Sequence, residues 1–286
     1  MPAIRLISWN VNARVRRLPE QVAALGTRAP DIVALQEVTR TTVAALAAGL
    51  ARVGLPHALD TIRPAPAPEI LRGPRRYGVL LASRWPLRAL PTDSLALPWP
   101  ERVLSALVAS PAGPIEAHTT YVPPGGTNGR VKIDTLDGLH RRLAVAHEGH
   151  RLLCGDLNTP QAELPDGRVA TFGQALRRDG TIGNWRRWGG QPGQEWDRAE
   201  RAVVTGLAPF DLADAFRAVH GYGVADASWF WVGLGKRVGY RLDHAFASAS
   251  LRAVRAAYLH PFREERLSDH SPLEVDFAPG DAADAR

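Results

Sequence analysis

Apolar residues fall along this chain in short runs separated by polar and glycine-rich breaks. Ile4-Arg5-Leu6-Ile7-Ser8-Trp9-Asn10 is one such run, followed by apolar positions at helical spacing over residues 18–25 and a second buried-type run over 31–36. That order predicts strand, helix, strand. A helix is predicted over 41–50 with Thr41 or Thr42 as its cap, then an extended loop through the prolines of 63–68. Strands are predicted at 77–82, 103–109 and 115–122, then a helix from 133 to about 147 and a buried strand at 151–156. From 159 to about 193 the periodicity fades into glycine, arginine and tryptophan, which predicts a long surface loop. Helices follow at 197–207 and 212–219, and strands at 228–232, 240–248, 254–258 and 272–277. With no internal repeat and no interior linker, the expectation is one domain over 1–279 and a short disordered tail at 280–286.

Composition narrows the class. At 286 residues, 45% hydrophobic and 22% charged, the chain can build a sizeable core and is neither a disordered nor a collagen-like sequence. No run approaches the roughly 18 apolar residues that cross a bilayer, so no membrane role is expected. Met1-Pro2-Ala3-Ile4-Arg5 leads directly into the first strand, and the expected compartment is the cytoplasm. The single cysteine, Cys154, can form neither an intramolecular disulfide nor a cysteine-based zinc site, so a metal would be held by oxygen or imidazole.

The net charge is +6, and Lys132 and Lys236 are the only lysines among 35 basic residues. Arginine forks suit phosphate oxygens. The charge is uneven, +8 over residues 1–143 and −2 over the remainder. A basic face around an acidic pocket explains this as well as a solvated arginine-rich surface does.

The candidate chemistry lies where the predicted strands stop. They end repeatedly at a carboxylate or carboxamide: Trp9-Asn10, Leu35-Gln36-Glu37, Gly155-Asp156-Leu157-Asn158, Leu242-Asp243 and Ser268-Asp269-His270. Singly, each is an ordinary turn or loop start. Jointly, strand ends on one sheet edge can converge, and their hard oxygen donors suit magnesium or manganese and hence phosphoryl chemistry.

Together with Tyr121-Val122-Pro123, these segments occur in the order seen in the endonuclease/exonuclease/phosphatase superfamily, and the chain resembles it over residues 4–277. Within it, Tyr121-Val122-Pro123, Leu212-Ala213-Asp214-Ala215-Phe216-Arg217 and Gly239-Tyr240-Arg241-Leu242-Asp243 resemble exonuclease III-type apurinic/apyrimidinic endonucleases. The resemblance implies an α/β fold of the DNase I type, a four-layered sandwich of two packed mixed β-sheets flanked by helices. It also implies Mg2+-dependent hydrolysis of DNA phosphodiesters, with Mn2+ as a substitute, double-stranded DNA as partner and no obligate protein partner. Carried over residue by residue, Glu37 becomes the principal metal ligand, with Asn10, Asp269, Asp156 and Asn158 also in the metal set. Asp156 orients or deprotonates the attacking water, Asn158 fixes that geometry, and His270, held by Asp243, contacts the phosphate. Tyr121 offers its phenol to the phosphate or the leaving oxygen. Trp229, Phe230, Trp231, Tyr240 and Leu242 correspond to the abasic-sugar pocket, with strand core as the competing reading.

Three positions depart from that pattern. Thr39 stands where these endonucleases carry lysine, with Arg40 as a nearby substitute; Pro124 replaces a phosphate-binding amide and offers no donor; and Ala13 replaces a common glycine. The first two favour the competing enzyme reading, a phosphodiesterase or phosphatase acting on RNA, a nucleotide or a lipid head group. A nucleic-acid-binding module that has lost catalysis predicts missing ligands, and none is missing. Trp185-Arg186-Arg187-Trp188, in the long loop, suits phosphate contact plus base stacking, or a cover folded back over apolar surface.

Overall fold

The computed structural model describes residues 3–65 and 67–280. Of the tail expected at 280–286, residues 281–286 lie outside them. The chain opens with β1 (Ile4–Asn10), α1 (Leu18–Thr27), β2 (Ile32–Val38) and α2 (Val43–Arg52), then β3 (His57–Asp60), β4 (Gly78–Ser83), β5 (Leu87–Leu90), β6 (Val103–Ser110) and β7 (Gly113–Tyr121). The middle comprises α3 (Gly125–Leu143), β8 (His150–Asp156), β9 (Ala162–Glu163), β10 (Val169–Ala170), β11 (Gln174–Leu176), β12 (Ile182–Asn184), β13 (Arg187–Trp188), β14 (Gln191–Pro192) and α4 (Gly193–Val204). The last part is β15 (Ala213–Asp214), α5 (Ala215–His220), β16 (Trp229–Gly233), β17 (Lys236–Tyr240), β18 (Asp243–Ala247), β19 (Leu251–Tyr258), α6 (His260–Glu264) and β20 (Leu273–Pro279).

Two six-stranded mixed sheets result, in the orders β19-β20-β1-β2-β4-β3 and β15-β18-β8-β7-β6-β5. Each has one parallel pair at its centre, β1 with β2 and β7 with β8, and antiparallel neighbours on both sides. Because successive side chains on a strand point to opposite faces, each central strand feeds two cores. Leu6, Ile32, Ala34, Leu81, Ala117, Cys154 and Ala245 fill the space between the sheets. Ile7, Trp9, Val33 and Leu35, on the opposite face, pack with Val22, Leu25, Leu46 and Leu50 of α1 and α2. Leu153 and Phe246 pack on the other outer face with Ile133, Leu136, Trp196 and Val203 of α3 and α4. Helices, sheet, sheet, helices is the expected four-layered α/β sandwich. No helix among the described residues is long and apolar enough to cross a membrane.

Several elements differ from their sequence reading for identifiable reasons. The helix expected from residue 133 begins at Gly125, because glycine-rich 125–129 has poor helix propensity but packs tightly on a buried ring. A Cβ at Gly125 would lie 1.8 Å from the Trp196 indole. The long loop of 159–193 folds into three two-stranded ribbons whose strands of two or three residues are too short to show a period. The helix expected over 212–219 gives two residues to β15 and starts at Ala215, capped by Asp214, whose carboxylate accepts from the Arg217 amide at 3.0 Å. The strand expected over 240–248 breaks at Arg241-Leu242 into β17 and β18, which belong to different sheets. Thr42 precedes α2 as expected, but its hydroxyl accepts from the Thr39 amide at 2.9 Å and does not cap the helix.

Candidate active site

The parallel pairs β1/β2 and β7/β8 end at the same rim of the sandwich, a usual place for a crevice in an α/β protein. Asn10 stands opposite Gln36 in one sheet, and Asp156 lies between Tyr121 and Asp243 in the other. The Asn10 side chain bridges the sheets, donating through Nδ2 to Glu37 Oε1 at 3.2 Å and to Asp156 Oδ2 at 2.9 Å. The backbone is bent to allow this. Glu37 occupies a bulge where the β2/β4 register shifts, at φ 57°, and Asn158 lies at φ 51°. Such left-handed conformations are costly for non-glycine residues and cluster at functional sites. Ala13 has φ 46°, which explains why a glycine suits that position. Gly155 is obligatory: at φ 140°, an added Cβ would lie 2.0 Å from the Thr120 carbonyl oxygen.

Asp156 is fixed from three sides. Its Oδ1 accepts the Asn158 amide at 2.8 Å, its Oδ2 accepts from Asn10, and His270 Nε2 lies 4.0 Å away. His270 Nδ1 donates to Asp243 Oδ2 at 2.8 Å, and Tyr258 secures that strand by donating to the Asp243 carbonyl at 2.6 Å. Burial, and then the Asp243 charge, pushes the Asp156 carboxyl up to about 7. Burial works against a charged His270, but the Asp243 charge and hydrogen bond, with the Asp156 and Asp269 charges, push the imidazole up to about 10. Burial raises the Tyr121 phenol well above its ordinary range, and the Glu37 and Asp156 charges add to this. Asp269 is reached from Asn10 through Asn12, whose amide donates to Asn10 Oδ1 at 3.0 Å and whose Nδ2 donates to Asp269 Oδ1 at 2.7 Å.

Beneath this set lie two buried ionic groups. Lys132 Nζ donates at 2.6 Å to both Glu200 Oε1 and the Asn158 carbonyl, while Glu200 Oε2 accepts from the Thr159 hydroxyl at 2.6 Å and the Phe172 amide at 2.8 Å. Arg241, two positions before Asp243 in sequence, donates to Glu163 and Asp214, and Arg217 donates to Glu163 as well. These contacts tie the 159–193 excursion to the strand ends that carry the site.

The structure therefore links Asn10, Glu37, Asp156, Asn158, Asp243 and His270 directly and Asp269 through Asn12. Tyr121 sits at the same rim beneath the buried Arg102 guanidinium, 4.3 Å above its ring. The expected substrate residues divide. Arg40 lines a shallow groove with Ala13, Thr41 and Arg76. In the β16/β17 ribbon Tyr240 pairs with Trp229, on the face that reaches His270, with ring centroids 6.1 Å and then 6.2 Å apart. Trp231 shares that face. Phe230 points the other way, between the Arg237 and Arg263 guanidiniums at 4.0 and 4.2 Å, and Leu242 is buried. Sequence reasoning missed Phe172, Arg102, Lys132 and Glu200. Trp229, which the sequence places with the pocket residues, joins that face to the site, since its indole donates to Asp269 Oδ2 at 3.1 Å.

Residues 7–270 match the Endonuclease/Exonuclease/phosphatase family. The chain belongs to that family. No curated protein matches the sequence. Among solved structures, an AP endonuclease from Archaeoglobus fulgidus is similar, with 22% identity, a TM-score of 0.68, and coverage of 96% of this chain and 99% of that one. A variant of the 3′ phosphatase NExo from Neisseria, bound to a product DNA hairpin, matches at 22% identity and TM-score 0.67, covering 96% and 100%. TDP2 from D. rerio complexed with a single-strand DNA product matches at 14% identity and TM-score 0.64, covering 96% and 99%. At these identities the likeness is one of fold, and family membership makes the protein a hydrolase of phosphoric ester bonds.

The family is metal-dependent, and the residues present fit a hard divalent cation. Three carboxylates, from Asp156, Asp243 and Asp269, act on one imidazole, a fourth, Glu37, is linked to Asp156 through Asn10, and Asp243 Oδ1 is buried without a hydrogen-bond partner among the described residues. A divalent cation would offset that excess negative charge. Asp156, Asp243 and His270 also offer ligand atoms within 4.8 Å of one another. Their closeness is accounted for by the His270–Asp243 hydrogen bond, which occupies Nδ1, whereas half-buried Glu37 and exposed Asp269 are the carboxylates open to a cation, with Asn10 between them.

Proposed function

We propose that this protein is a Mg2+-dependent DNA-repair nuclease, with Mn2+ as a substitute, that cuts duplex DNA 5′ to abasic sites and trims 3′ ends. The observation that carries the reading is Asp156, a buried carboxylate oriented by two asparagines and facing an imidazole that is itself held by a second aspartate. Asp156 accepts a proton from the attacking water, and Asn10 and Asn158 keep the receiving oxygen in place. His270 directs its Nε2–H at a nonbridging phosphate oxygen, with Asp243 holding the ring in its donating form. Tyr121, kept as a neutral phenol, donates to the leaving side. Glu37, with Asn10 and Asp269, would hold the metal, which when bound withdraws charge from the phosphate and its leaving oxygen. Trp229 and Tyr240 form the wall against which an abasic sugar packs, a site cheaper to fill with a base-less nucleotide than with a paired one.

A second reading, a phosphodiesterase or phosphatase acting on RNA, a nucleotide or a lipid head group, is favoured by Pro124. It is the residue preceding α3 and puts no side-chain donor beside Tyr121. One panel separates the two. The protein is incubated with Mg2+ and an end-labelled duplex bearing one abasic analogue, alongside intact duplex, single-stranded RNA and bis(p-nitrophenyl) phosphate. Cleavage at the abasic position that disappears with EDTA and in Asp156→Asn is expected. Hydrolysis of the small diester with no cut in any DNA would overturn the nuclease reading.

A further inference from the structure

The motif Trp185-Arg186-Arg187-Trp188 allowed two readings in sequence, an outward contact surface or a cover over apolar surface. It is not a cover. Trp185 is 42% exposed and Trp188 37%, and their rings lie nearly parallel, 21° apart in plane with centroids 6.3 Å apart. Arg186 and Arg187 are exposed, and among the described residues neither forms an ion pair with a carboxylate. Two half-open indoles beside two guanidiniums on a tight ribbon form an unusual surface for a protein that could have buried them.

The ribbon is also firmly placed. The Trp185 amide donates to the Gly173 carbonyl at 2.9 Å, and Gln174 Nε2 donates to Asn184 Oδ1 at 3.1 Å. At its turn, Gly189 sits against Gly125 at the start of α3, where an added Cβ would lie 2.6 Å from the Gly125 carbonyl oxygen. Gly173 follows Phe172, whose ring is 5.7 Å from Tyr240. A row of rings leads from His270 through Trp229 and Tyr240 to Phe172, and the backbone of the next residue, Gly173, is hydrogen-bonded to Trp185 of the exposed pair.

We infer that the Trp185/Trp188 ribbon is a binding platform for unpaired nucleotides of the strand being cut. This deepens the nuclease reading and rests on it. Aromatic faces stack with any base, and arginine forks match phosphate oxygens. In a duplex the faces of the bases are already stacked on one another, so an exposed indole pair finds its partner in a single strand. The occupant is therefore a single-stranded nucleic-acid segment leading away from the scissile phosphate, and the platform selects substrates with a frayed or unpaired end.

The test uses the full chain in EDTA, so that binding is measured without cleavage. Fluorescein-labelled oligothymidylate of about twelve nucleotides, a length on the scale of known single-strand site sizes, and a blunt duplex of the same length are titrated against wild type, Trp185→Ala/Trp188→Ala, Trp185→Phe/Trp188→Phe and Arg186→Gln/Arg187→Gln. Turnover of bis(p-nitrophenyl) phosphate in Mg2+ by each protein gives the reference for an intact centre. The alanine pair should weaken oligothymidylate binding by about tenfold or more, as expected for losing base–aromatic stacking. The phenylalanine pair should restore most of it, and the arginine pair should lower the slope of log affinity against log salt by about 1.4 for two lost phosphate contacts on a single strand. Oligothymidylate binding unchanged in the alanine pair would overturn the platform, as would equal losses for duplex and single strand. A wild-type protein that binds oligothymidylate through these residues but hydrolyses no diester would refute the nuclease reading and leave the platform standing.

Discussion

Replacing Lys132 with methionine tests the physical basis of the site more sharply than removing a carboxylate at its centre. Lys132 is 1% exposed and Glu200 0%, so the pair lies wholly out of water. Methionine keeps most of the side-chain volume beneath Phe172 and Trp196, which the ammonium now faces at 5.1 and 4.9 Å. What is lost is charge: Glu200 stays buried with only the Thr159 hydroxyl and the Phe172 amide as donors, and the Asn158 carbonyl loses its donor. Stranding one member of a buried ion pair costs about 3–5 kcal/mol. Urea denaturation should show that loss for Lys132→Met, whereas Lys132→Met/Glu200→Gln should lose about 1–2 kcal/mol, because a neutral amide oxygen can still accept from Thr159 and Phe172. Turnover should fall in the single variant by about 100-fold, the scale of a misplaced catalytic group, since Lys132 is the donor to the carbonyl of Asn158, a residue at φ 51°. A single variant that loses under about 1 kcal/mol, or a double variant that loses the sum of the two single changes, would refute the reasoning.

Two further outcomes follow from the same structure. Burial opposes a charged Glu163, but its bonds and attraction to Arg241 and Arg217 outweigh this and hold its carboxyl down at about 2, against an ordinary 4.5. A depressed folded-state pKa stabilises the protein above pH 4.5, and that stability drains away as pH falls towards 2, about 3 kcal/mol for this one group. Guanidinium melts from neutral pH down to the acid end of that range should show the loss, and Glu163→Gln should be weaker at neutral pH and flatter across the range. Gly155→Ala forces a Cβ into the Thr120 carbonyl and displaces the strand that ends at Asp156. It should cost about 3 kcal/mol or more in thermal unfolding and abolish turnover.

Much of the site was legible in sequence because its chemistry sits at strand ends, and strand ends are local signals. Asn10, Glu37 and Asp156 needed only two parallel pairs finishing on one rim to meet, and Asp243 and His270 join them at or just before the starts of the antiparallel neighbours β18 and β20. What sequence could not show depends on packing between distant segments. Lys132 and Glu200 meet across helices whose apolar spacing gives no hint of a buried ion pair, and Arg102 reaches Tyr121 from a short turn before β6. The split between Phe230 and Tyr240 is a matter of register: Tyr240 pairs with Trp229, so Phe230 must face the other way. The ribbons of 159–193 were invisible because a two-residue strand carries no period.

The central claim is that strand-end carboxylates activate water for attack at phosphorus. The most direct measurement is cleavage of a duplex with one abasic analogue in 18O-enriched water with Mg2+, comparing wild type with Asp156→Asn and reading both product ends by mass spectrometry. The account predicts one 18O atom in the terminal phosphate, none in the sugar, and no product from Asp156→Asn. Incorporation of 18O into the sugar hydroxyl with none in the phosphate would contradict it, as would full cleavage by Asp156→Asn.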